Sequence, residues 1–139
     1  MMGVVLVAYD GTASAKKAVE RARALLAPSD SMVLLYVIPE GDAAAPASVI
    51  CPEPGMGWEE SNLLVSSAAA ELVREHHVQA VGSVRRGPPG PTIVTVAEEL
   101  GAVMVVVGVG RVERVSCFAL GSVADYVARH CAKPVLIVR

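Results

Sequence analysis

The chain has few aromatic residues: one Trp, three Tyr and one Phe among 139 residues. Set beside a hydrophobic fraction of 53% that is rich in Val and Ala, this scarcity suits parallel strands covered by helices. Cysteine is sparse too. Cys51, Cys117 and Cys131 are odd in number and form no CxxC pair, so neither a zinc cage nor a disulfide framework is indicated. A reducing, cytoplasmic setting is the simplest reading. Neither sign of charge dominates: 12 basic and 14 acidic residues leave a formal charge of −2. Such a balance gives no electrostatic reason to expect nucleic acid as a partner. No apolar run is long enough to cross a bilayer, the longest being Leu100 to Gly110. The apolar start, Gly3 to Tyr9, has no basic stretch before it and meets Asp10 at once, which argues against a signal peptide and against a membrane role. The GxxxxGK[ST] phosphate loop is absent, and no Ser-His-Asp spacing stands out.

What is present alternates. Gly3–Tyr9 reads as a continuously apolar strand closed by the turn signal Asp10-Gly11-Thr12. From Ser14 the period becomes helical, with Ala15, Ala18, Val19, Ala22 and Leu26 on one face, and Pro28-Ser29-Asp30 breaks the helix. Met32–Ile38 is a second buried strand. The stretch 39–57 holds Pro39, Pro46, Pro52 and Pro54 and reads as an irregular Pro/Gly-rich loop, disordered in part around 43–46. A helix is predicted from Trp58 to His76 with Leu64, Val65, Ala68 and Leu72 inward, then a strand over Val78–Val84. Gly87-Pro88-Pro89-Gly90-Pro91 reads as a rigid connection to a helix over Thr92–Leu100, with Ile93, Ala97 and Leu100 inward. Ala102–Val107 is the most apolar strand and is expected at the centre of the sheet. A last helix near Ser122–Cys131 and a strand over Pro134–Val138 complete the pattern.

Strands alternating with helices imply one doubly wound α/β domain over residues 1–139, a five-stranded parallel sheet with helices on both faces. Ligands of such sheets sit beyond the carboxyl ends of the strands. Asp10, after the first strand, and the stretch Gly108–Ser122, after the fourth, both fall on that edge. A carboxylate at Asp10 can accept hydrogen bonds from ribose hydroxyls, or it can merely cap a turn. The Asp-nucleophile phosphatase pattern needs a second Asp where Thr12 stands. A phosphoacceptor receiver needs an Asp at the end of the third strand, where Ser83, Val84 and Arg85 lie. Both enzyme readings therefore fail. The glycines and Ser122 around the last helix start suit phosphate oxygens, or serve as plain punctuation. His76, His77 and His130 sit at helix ends, where partial positive charge is welcome, and the cysteines read as packing residues. No metal site is expected.

The C-terminal stretch VVVGVGRVERVSCFALGSVADYVARHCAKPVLIVR resembles that of universal stress proteins. Nucleotide-binding members carry a glycine, two residues, a second glycine, nine residues, and Gly-Ser or Gly-Thr between the fourth strand and the last helix. Gly108, Gly121 and Ser122 match in register. Asp10 matches the acidic residue ending the first strand, Val37 the position that meets the adenine, and Gly87 with Pro89 the Gly-x-Pro turn after the third strand. The resemblance implies a regulatory module, not an enzyme, that binds ATP or AMP through Asp10, Val37, Gly108, Gly121, Ser122 and Val123, with magnesium only alongside ATP. It also implies an antiparallel homodimer on the last strand, Val135, Leu136, Ile137 and Val138. One departure stands out: the family's second glycine falls on Arg111, with Gly110 one residue early. Arg111 either obstructs backbone approach to phosphate or offers it a cation. Two readings follow, a nucleotide-binding module and a dimeric interaction protein of the same fold that has lost the nucleotide.

Overall fold

The computed structural model describes residues 3–39, 57–109 and 120–139. The Pro/Gly-rich segment 40–56 and the stretch 110–119, with Gly110 and Arg111, lie outside the described residues.

Chain order is β1 (Val4–Ala8), α1 (Ala13–Leu25), β2 (Ser31–Ile38), α2 (Trp58–His76), β3 (Gln79–Arg86), α3 (Pro89–Leu100), β4 (Met104–Gly108), α4 (Leu120–His130) and β5 (Val135–Val138). The strands form one parallel sheet in the order β3-β2-β1-β4-β5. The central strand is β1, not β4 as its apolarity suggested. Both are buried on two faces, so their composition is alike, and strand order is set by the crossovers.

Residue parity along the strands divides the core. Val5, Val7, Met32, Leu34 and Val106 face α1 and α2, where Ala15, Ala18, Ala22, Val65 and Leu72 meet them. Leu6, Val33, Leu35, Val105 and Val107 face α3 and α4, against Ile93, Val96, Ala97, Ala124 and Val127. Burying each Val or Leu stabilises by about 1.5–3 kcal/mol relative to exposure. The buried face of α1 is all alanine, so its backbone can lie close to the sheet.

Three details differ from the sequence reading. Helix α3 starts at Pro89, with Pro88 as its cap: proline at the first helical position loses only an amide that has no partner there. Its Leu100, expected inward, is 38% exposed at the last turn, and Val96 takes the inward place. Strand β3 runs on through Arg85 and Arg86 because the ladder to β2 continues to Ile38↔Arg86. An edge strand can carry charge, as these two arginines do. Among the described residues no helix is long and apolar enough to cross a membrane.

Candidate functional site

The carboxyl edge begins where β1 leaves the sheet. The Tyr9 amide still donates to the Leu35 carbonyl at 2.8 Å. Gly11 then turns the chain at a φ of 82°, a conformation that favours glycine. Thr12 follows with extended backbone as the N-cap of α1. One oxygen of Asp10, Oδ1, accepts both the Thr12 amide at 3.0 Å and the Thr12 hydroxyl at 2.6 Å. A carboxylate only accepts, so the Thr12 proton points to Asp10. The Thr12 oxygen then accepts from the Ser14 hydroxyl at 3.1 Å and from the Ala15 amide at 3.3 Å. Each proton in this chain of three side chains has a fixed direction.

The end of β2 lies beside it. In a parallel ladder, the amide and carbonyl of one residue point to the same neighbour, and successive residues alternate. The Leu35 carbonyl takes the Tyr9 amide, on the β1 side, and the Ile38 carbonyl takes the Gly87 amide at 3.0 Å, on the β3 side. Val37 therefore points its peptide groups to the β1 side, into the gap opened where the chain turns away at Asp10. Among the described residues no backbone partner crosses that gap to Val37. Its side chain is buried in the core facing α3 and α4.

On the other flank, β4 ends at Gly108. A Cβ there would stand 2.8 Å from the Ser14 carbonyl carbon and closer still to its oxygen. This glycine is thus required by the first turn of α1, whether or not a ligand also needs it. Helix α4 takes in Leu120, so Gly121 and Ser122 lie within its first turn and not ahead of it. The leading amides of α4, those of residues 120–122, have no acceptor within the helix, and the helix starts at the carboxyl edge. Val123 packs against the core at this end.

The structure thus brings Asp10, Val37, Gly108 and the α4 start with Gly121, Ser122 and Val123 to one edge. Arg111 lies outside the described residues. Thr12 and Ser14 were missed by the sequence reading, although a Thr three residues before the Ala15 amide is an ordinary N-cap signal. Tyr9, next to Asp10 in the chain, is buried in the core facing α1 and α2, and its hydroxyl is pushed above the usual range by burial first, then by Glu71 and Asp10. At the end of β3, Arg85 pairs with Glu99 at 2.8 Å, and Arg86 stands 5.4 Å over the Trp58 ring. Among the described residues no cluster of His, Cys, Asp or Glu could hold a metal ion. A depression of about 600 Å³ lies at the opposite, amino end of β2 and β3, walled by Met32, Val73 and Val78. It belongs to the wrong end of the strands for the site assembled here.

The model of the universal stress protein family matches residues 1–139. The chain belongs to that family. Among solved structures it is similar to a universal stress protein family member from Burkholderia pseudomallei, at 24% identity and TM-score 0.70, covering 98% of this chain and 95% of that one. A universal stress protein solved in complex with cAMP shares 24% identity and TM-score 0.67, over 99% and 96% of the two chains. The universal stress protein from Archaeoglobus fulgidus in complex with dAMP shares 18% identity and TM-score 0.69, over 100% and 98%. These likenesses carry the fold. No curated protein sequence matches significantly. This universal stress protein has Asp10 directly after β1 and Gly108 as the last residue of β4.

Proposed function

We infer that this universal stress protein is a cytoplasmic regulatory module that binds an adenine nucleotide, ATP or AMP, at the carboxyl edge of its sheet. The carrying observation is the Val37 peptide, whose amide and carbonyl face the gap beside Asp10 with no backbone partner among the described residues. Adenine offers an acceptor at N1 and a donor at N6 side by side, the complement of that peptide edge. Guanine reverses the pair, setting a carbonyl against the Val37 carbonyl. A base held there puts its ribose towards Asp10, and the phosphates towards Gly108 and the amides of Gly121 and Ser122 at the positive end of α4, with Val123 beside them. Magnesium enters only with ATP. The relatives solved with cAMP and dAMP support the adenine class. Binding, not turnover, is the proposed activity, since no group in the reading serves as general base at the phosphate end.

Native mass spectrometry of freshly purified protein tests the reading directly, because a carried nucleotide appears as added mass. Calorimetric titration with ATP and GTP completes it. Binding of ATP that weakens about tenfold, or about 1.4 kcal/mol, in Asp10→Ala is the expected result. Equal binding of GTP would remove the base argument.

A second reading, a dimeric interaction protein, draws on β5. This edge strand is apolar throughout, and Ile137 is 41% exposed on it. Both readings share the homodimer, and only the first needs the nucleotide.

A further inference from the structure

A carboxylate oxygen has two in-plane lone pairs. At Asp10 both lone pairs of Oδ1 are engaged, by the Thr12 amide at 3.0 Å and the Thr12 hydroxyl at 2.6 Å. The 2.6 Å approach to a carboxylate, which can only accept, holds the hydroxyl proton on Asp10, and the Thr12 oxygen is then left to receive Ser14 at 3.1 Å and Ala15 at 3.3 Å. We propose that Thr12 is a specificity-determining positioning residue: by saturating Asp10 Oδ1, it limits the carboxylate to a single open oxygen for a nucleotide's sugar. The inference rests on the nucleotide reading above. A free carboxylate grips a ribose diol with both oxygens, one per hydroxyl. Asp10 held by Thr12 grips one hydroxyl only, because the two lone pairs of Oδ2 diverge too widely for adjacent hydroxyls of one ribose to meet both. The site therefore accepts adenine nucleotides in which the other hydroxyl is missing or esterified almost as readily as the ribonucleotide. Thr12 needs no contact with the ligand to set this preference.

The test uses the full chain and titrates ATP, 2′-deoxy-ATP and 3′-deoxy-ATP by calorimetry into wild type, Thr12→Val and Thr12→Ser. In the wild type, one analogue binds within about twofold of ATP and the other is weaker by about tenfold, the loss of one charge-assisted hydrogen bond. Thr12→Val frees one lone pair of Oδ1, so both analogues fall about tenfold below ATP. Thr12→Ser keeps the hydroxyl and restores the wild-type pattern. Equal large losses for both analogues in the wild type overturn the proposal, as does equal binding of all three nucleotides. So does a Thr12→Val protein with the wild-type pattern. If Thr12→Val does not fold, the wild-type pattern and Thr12→Ser still decide. ATP that fails to bind at all overturns the nucleotide reading and this proposal with it, whereas ATP that binds with the wrong analogue pattern overturns this proposal alone.

Discussion

Gly108 and Ser14 meet backbone to backbone: a Cβ on the glycine at the end of β4 would stand 2.8 Å from the carbonyl carbon of the serine in the first turn of α1. That contact ties the β4 side of the candidate site to the helix whose cap, Thr12, donates to Asp10. The all-alanine inner face of α1 permits it, because larger side chains would hold the helix off the sheet.

Gly108→Ala is expected to destabilise the free protein by about 1–3 kcal/mol, the usual cost of forcing a methyl into a packed position. The opposing atoms are helix backbone, which cannot rotate aside. Urea unfolding without nucleotide measures it. An unchanged midpoint would mean that the glycine serves the ligand alone.

Stability is expected to fall in alkali through Tyr9. Burial, then Glu71 and Asp10, hold its folded pKa above the ordinary 10.0. Above pH 10 the unfolded chain releases its proton first and so binds fewer protons than the folded chain, which makes stability decrease as pH rises. The contribution is fully present below the unfolded value and is lost as pH climbs through the folded one. Urea midpoints between about pH 9 and 11 should slope downwards in the wild type and less steeply in Tyr9→Phe. Equal slopes in the two proteins would exclude Tyr9 as the source.

The homodimer is expected to form by antiparallel pairing of β5, whose Val135, Leu136 and Ile137 are only partly covered in the single chain. Ile137→Lys puts a charge on that edge, a common device against strand pairing. Sedimentation should find a dimer for the wild type at micromolar concentration and a monomer for the variant. A monomeric wild type would refute the pairing.

Arg111→Gly is expected to tighten ATP binding. Backbone approach to phosphate uses several amides at once, and one side chain does not replace them. Calorimetry with ATP and AMP on both proteins reads the sign. Weaker ATP binding with AMP unchanged would instead make the guanidinium a phosphate ligand.

Local pattern determined much of this protein. The turn at Asp10-Gly11-Thr12, the helix from Trp58 to His76 and the run of apolar strands all follow from nearest-neighbour chemistry, and they define the α/β class by themselves. The alternation of strands and helices also put Asp10 and Gly108 at the carboxyl ends of their strands, where both lie. Proline misled at α3, where Pro89 opens the helix that a run of prolines seemed to delay. Only the tertiary structure decided that β1 is central, that Gly108 is held to glycine by α1, that Val37 turns its peptide groups to an open gap, and that Thr12 occupies one oxygen of Asp10. The reason is common to all four. Each depends on which segments lie side by side and on which way a group points once they do, and neither is encoded in the period of one segment.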